Sequence, residues 1–334
     1  MTTATLDTVN LADLEMRVAV GQLRELTEEQ LAFAVQVGAE DVQLNTPDLP
    51  GEERWEYEDL EALRERANGA GLRLIALENV PIRFYDQIMT AGPERERQMA
   101  NMSATVRSMG KAGIPILGYH WMPNGVWRTS FETKVRGGAV SNEFRYEQVK
   151  DAPLTHGRVF GADEMWANYD WYMERILPVC EEAGVRMALH PDDPPVPTLG
   201  GVARLFTNFE GFRRAMETHP SPMHGLDFCH GCWSEMREGE GVLEAIEWFG
   251  TRGRLFYLHL RDVQGCAMDF RECFLDEGNS DIVAVIKKLR SVGFQGFILD
   301  DHVPHLVNDS PYGHRGRAYA IGYIRGLLRA IPSG

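Results

Sequence analysis

Long apolar runs are missing from this chain. None approaches the roughly 20 residues that a membrane-spanning helix needs, so no membrane partner is expected. Basic residues are scarce too: 34 Lys and Arg stand against 49 Asp and Glu, a formal charge of -15. A nucleic-acid ligand requires concentrated positive surface, so that class of partner is excluded as an expectation. The first residues, "MTTATLDTVNLADLEM", lack the basic segment and apolar core of a secretion signal. Cysteine is sparse and odd in number (Cys180, Cys229, Cys232, Cys266 and Cys273), which argues against a disulfide framework and for a reducing cytoplasm. A Gly-rich phosphate loop is also wanting, since "VGQLRELTEE" follows the first strand-like segment.

What is present is ordinary globular composition, 44% apolar and 25% charged over 334 residues. Eight β-rich runs alternate with amphipathic ones: "RVAVGQ", "DVQL", "LRLIALE", "IPILGYH", "VRMALH", "MHGLDFC", "RLFYLHL" and "GFILDD". Helical periodicity marks "TEEQLAFAVQVG", "YEDLEALRERANGAG", "ANYDWYMERILPVCEEAG", "VLEAIEWFG", "SDIVAVIKKLRSVG" and the closing "GRAYAIGYIRGLLRAI"; several end in Gly, the usual helix stop. Continuous apolar strands separated by helices require a parallel sheet covered on both faces. Eight such units predict a (β/α)8 barrel, with an open doubly wound sheet as the weaker competitor. No linker divides the chain, so one domain over 1–334 is expected, with a long active-site loop around 120–163.

Barrel chemistry sits at the C-terminal ends of strands. The last four strands end in His190, Cys229, His259 and the pair Asp300–Asp301. Any one of these is commonly structural, a hydrogen-bonded His or a small buried Cys. Four successive ends carrying potential ligands, on strands about 4.8 Å apart, instead point to a shared ion. Two imidazoles, a thiolate and a carboxylate suit Zn, Fe, Mn, Co or Ni alike. His302 follows Asp301, where an imidazole can move protons or merely support a ligand. Arg261, two residues past His259, is a candidate clamp for a substrate carboxylate, or a partner for a neighbouring acid. In "HPDD", Asp192 or Asp193 could orient a metal-bound imidazole or simply make a turn. "CHGC" is a weak redox or half-zinc signal, with no second C-x-x-C.

The segments "GLRLIALENVPI", "GYHWMPNGVWRTSF", "MALHPDDPP", "GLDFCHG", "FYLHLRDV", "FRECFLDEGNSDI", "DDH" and "AIGYIRGLL" resemble the mannonate dehydratase family, a branch of the xylose-isomerase-like TIM barrels. The likeness runs from about Asp41 to the end. It implies a metal-dependent hydro-lyase that dehydrates a sugar acid, D-mannonate or a related aldonate, to a 2-keto-3-deoxy acid. It also implies a divalent ion, Mn2+ before Fe2+, Co2+, Zn2+ or Mg2+, on His190, Cys229, His259 and Asp301. His302 and Tyr319 correspond to the family's proton-transferring groups.

Departures gather where substrate would lie. "QLNTPDLP" with Asn45 replaces an "LYDIP"-like stretch, Arg83 stands where a His is expected, His120 replaces Asn, and "CHGC" replaces "CTGS", bringing in His230. Asn45, Arg83, His120 and Arg261 are therefore the candidate substrate wall. A sugar isomerase or epimerase using the same ion is the alternative activity, and a sugar-acid sensor without chemistry the non-enzymatic one. A small-molecule partner is expected, and association into a homo-oligomer is an expectation from size alone.

Overall fold

The computed structural model describes residue 11 and residues 14–332. In chain order its strands are β1 (Arg17–Leu23), β2 (Asp41–Asn45), β3 (Arg73–Glu78), β4 (Ile116–Tyr119), β5 (Ser130–Lys134), β6 (Val140–Arg145) and β7 (Arg186–Leu189). They continue with β8 (Thr198–Leu199), β9 (Val202–Ala203), β10 (His224–Cys229), β11 (Leu255–His259), β12 (Asp262–Cys266), β13 (Asp269–Cys273) and β14 (Phe297–Leu299). The helices are α1 (Glu28–Gln36), α2 (Tyr57–Gly69), α3 (Asp86–Met89), α4 (Arg95–Ala112), α5 (Ala162–Ala183), α6 (Phe209–Thr218), α7 (His230–Met236), α8 (Val242–Gly250), α9 (Ile282–Ser291) and α10 (His314–Ala330).

Eight of the strands close a parallel barrel in the order β1-β14-β11-β10-β7-β4-β3-β2. These are the eight runs singled out in the sequence. Every residue of β10 and β11 is buried, as strands walled by side chains inside and helices outside must be. Helix boundaries follow local chemistry. Thr27 and Gln30 form a capping box at the start of α1. Gly113 and Gly184 end α4 and α5 with φ of 74° and 68°, conformations that cost a side-chain-bearing residue energy. At the N-terminal face, buried Asp41 is ion-paired to both Arg17 and Arg73, stitching β1, β2 and β3. Among the described residues no helix is long and apolar enough to cross a membrane.

The sequence reading of 120–163 as irregular loop is corrected. β5 and β6 form a hairpin there, and β6 pairs with β13 of a second hairpin, β12–β13, that follows β11. The resulting sheet, β12-β13-β6-β5, is held by Phe144, Val196, Leu199, Val263 and Phe270. A single antiparallel bridge between Val140 and His305 ties it to the loop after β14. The strands were illegible because β5 is mostly exposed and β6 alternates weakly.

At the barrel's C-terminal mouth, Gln22, Thr46, Asn79 and Asp301 all take positive φ, between 44° and 59°. Such left-handed residues are uncommon and uphill for non-glycine side chains, and they cluster where a strand must turn sharply into a site. Inside the barrel, Gly118 of β4 makes room for larger neighbours. A Cβ there would lie 2.2 Å from Tyr257 Oη and 2.9 Å from Glu78 Cγ. Gly118→Ala should therefore cost about 1–3 kcal/mol. Urea unfolding should show a lower midpoint with unchanged m-value; an unchanged midpoint would mean the interior is less tightly packed than this.

Candidate metal centre

Adjacent strands bring the expected ligands together. Cys229 and His259 are register partners across β10 and β11, so they leave the barrel side by side. His190 follows the last residue of β7, and its ring lies 5.3 Å from that of His259. Ligand atoms of His190, Cys229 and His259 all lie within 4.8 Å of one another. Asp301 closes the group: its Oδ2 is 3.9 Å from Cys229 Sγ and 3.7 Å from His259 Nδ1. All four residues are buried.

The tautomers are set by neighbours. His190 Nδ1–H donates to the Pro191 carbonyl at 2.7 Å, so Nε2 is the nitrogen turned to Cys229. His259 Nε2 lies 3.0 Å from Glu78 Oε2 and 3.4 Å from Asp227 Oδ2, while Nδ1 faces Cys229 and Asp301. Glu78 is itself anchored by Gln43 (2.5 Å), Gln22 (3.3 Å) and Asn45 (3.2 Å). Burial pushes the Asp227 carboxyl up to about 8, with Glu78 and Cys229 adding to the rise and His259 and His190 opposing it. Against the burial that raises it, Cys232, Arg261 and His190 hold the Cys229 thiol well below its usual range.

This donor set fits a cation. Among the described residues, both His259 nitrogens are buried without a well-formed hydrogen bond, Nδ1 on the side of Cys229 and Asp301; the Asp227 oxygens, likewise without one, form with Glu78 a neighbouring group at His259 Nε2. Orphaned buried polar atoms are costly, and a bound divalent ion is one standard means of satisfying them. A third group, Asp193, Cys232 and Glu235, already holds a cation of its own. There Arg261 reaches Asp193 at 3.1 Å, Cys232 at 3.2 Å and Glu235 at 2.7 Å.

Arg261 is thus not the substrate clamp expected of it. It is 1% exposed, and its Nε–H binds Asp301 Oδ2 at 3.0 Å, so all three of its nitrogens are engaged inside the protein. Asp192 and Asp193 do not orient His190 either. Asp192 accepts from the Phe206 amide (2.6 Å) and pairs with Arg204, whereas Asp193 binds Arg128 in bidentate fashion at 2.6 and 2.9 Å.

His302 lies beside the cluster, with Nδ1–H donating to Glu272 Oε1 at 2.8 Å and Nε2 3.7 Å from Asp301 Oδ1. His120, at the end of β4, accepts from the Met122 amide through Nδ1, which places its proton on Nε2. Burial, with His190 and Arg204 adding to it, lowers its pKa to about 3, so it stays neutral. Asn45 is at the mouth, but its amide donates to Gln22 and Glu78. Arg83 is not brought to the cluster; it is half exposed and binds the carbonyls of Gly51 and Glu52. Tyr319 shares a cavity wall with His302 and Arg261, but its hydroxyl turns away, donating to Asp276 at 3.1 Å and meeting Arg136 at 3.4 Å. His230 donates from Nδ1 to the Arg261 carbonyl at 2.7 Å.

Sequence reasoning missed Glu78, Asp227, Arg128 and Glu272. Glu78 ends β3 and would have emerged had strand ends been weighed equally in the first half. Asp227 precedes Cys229 by two, the same-face spacing of a strand. Glu272 and Arg128 arrive from the accessory sheet and its approach, and no spacing signals them.

The sequence model of the D-mannonate dehydratase (UxuA) family matches residues 21–160 and 141–334. A mannonate dehydratase of Thermotoga maritima is 29% identical over 323 residues, covering 85% of this chain and 88% of that protein. The crystal structure of mannonate dehydratase from Streptococcus suis serotype 2 superposes with a TM-score of 0.87 at 27% identity, covering 95% of this chain and 93% of that one. A xylose isomerase domain protein from Planctomyces limnophilus shares the fold (TM-score 0.63, 14% identity, 95% and 99% covered).

Cobalt binding tests the donor set. Protein loaded with Co2+ should show thiolate-to-metal charge-transfer absorption, and Cys229→Ser should abolish it while weakening affinity at least about 100-fold. Retention of both the band and the affinity in Cys229→Ser would remove Cys229 from the centre.

Proposed function

The chain belongs to the D-mannonate dehydratase family and is a lyase, and from that premise we propose that it dehydrates D-mannonate or a related aldonate to a 2-keto-3-deoxy acid. What supports the reading is one observation: four buried donors, His190, Cys229, His259 and Asp301, converge at the mouth of a barrel in that family.

A divalent cation on those residues, manganese in this reading with Fe2+, Co2+, Zn2+ and Mg2+ as alternatives, would supply charge beside a substrate carboxylate and lower the cost of removing the adjacent proton. The protein's own cations are ill suited to that task. Arg128, Arg204, Arg261 and Arg317 are each ion-paired to buried acids. His302 handles protons at Nε2, because Nδ1–H is committed to Glu272. In the net reaction the proton next to the carboxylate leaves, the neighbouring C–O bond breaks as its hydroxyl is protonated to water, and the enol becomes the ketone. His120 offers a neutral Nε2–H for a substrate hydroxyl. Tyr319 and Arg83 have no part in this reading, since their polar atoms are engaged elsewhere. We place the enzyme in the cytoplasm, in keeping with its five free cysteines.

Proton NMR of D-mannonate with Mn2+-loaded enzyme, beside a chelated control, tests the proposal. Methylene signals of a 3-deoxy acid should grow only in the loaded sample. New sugar signals without the 3-deoxy methylene would mean isomerisation or epimerisation, and unaltered mannonate would mean another substrate.

A further inference from the structure

We propose that Glu272 is the positioning residue that fixes the tautomer and orientation of His302, and that the four-stranded sheet over the barrel mouth delivers it. The proposal rests on the reading of His302 as the proton-transfer group.

Glu272 lies on β13, outside the barrel, yet its side chain is buried to 2% exposure. Its Oε1 accepts from His302 Nδ1 (2.8 Å) and from Arg128 Nε and Nη2 (3.0 and 2.7 Å). Its Oε2 accepts from Asn142 of β6 at 2.7 Å. All four contacts are donors, so the pocket is built for an acceptor-only group, which is an ionised carboxylate. Arg128 grips Asp193 with the same guanidinium, and Asp193 is joined through Arg261 to Asp301. Glu272, Arg128, Asp193, Arg261 and Asp301 thus form one chain of ion pairs that starts and ends at two consecutive residues, His302 and Asp301. His302 is one-third exposed and follows a residue with φ of 49°. Without Glu272, the contacts at Nδ1 that stop its ring from turning would be lost.

Glu272→Gln preserves the shape, because Asn142 can turn its amide to suit, and removes the charge. With the Mn2+-loaded enzyme and D-mannonate, this variant should lose about 10- to 100-fold in kcat. KM and calorimetric Mn2+ affinity should change less than about threefold. The decisive readout is the cycle with His302→Asn: in that background Glu272→Gln should have no further effect on kcat. Independent, multiplying losses would overturn the positioning role while leaving His302 as the acid–base group. An undiminished kcat in His302→Asn alone would overturn both that reading and the inference. Should Glu272→Gln not fold, Asn142→Ala loosens Glu272 from its other side, and the same cycle applies with a smaller expected loss.

Discussion

The site depends on one buried guanidinium. Arg261 sits behind the four converging strand ends and binds Asp193, Glu235, Asp301 and Cys232 at once. Removing one member of a buried ion pair typically costs about 3–5 kcal/mol, because the remaining charge stays buried and unpaired. The local sequence is shaped around this group. Gly231 is glycine because a Cβ there would lie 2.4 Å from Arg261 Nη1. His230 holds the backbone carbonyl of the same arginine. Substituting "CHGC" therefore disturbs more than a ligand.

From Arg261 the order spreads in two directions. Inward, its hold on Asp301 aims a carboxylate at His259 and Cys229, next to the layer of Glu78 and Asp227 at His259 Nε2. Outward, Asp193 passes the constraint to Arg128 and on to the accessory sheet. A barrel mouth is usually finished by loops that vary freely. Here two hairpins from distant parts of the chain pair with each other, and so they can carry a residue to a fixed place.

The barrel was legible in the sequence because strands buried on both faces leave uninterrupted apolar runs, and the helices between them keep their 3.6-residue period. The convergence of His190, Cys229, His259 and Asp301 was legible for the same reason, since strand order alone sets which ends are neighbours. Arg261 and Arg83 illustrate what was not. Both were cations near the predicted mouth, yet one is consumed by internal acids and the other turns to the Gly51–Glu52 backbone. Which partner a long side chain finds depends on three-dimensional neighbours, and the accessory sheet that supplies many of them is formed by short, half-exposed strands with little periodic signal.

Whether four strand ends hold one divalent ion can be seen by anomalous diffraction from crystals of the Mn2+-loaded protein. A single strong peak between His190, Cys229, His259 and Asp301 is expected. A peak among Asp193, Cys232 and Glu235 instead, or none at the four strand ends despite excess Mn2+, would contradict it.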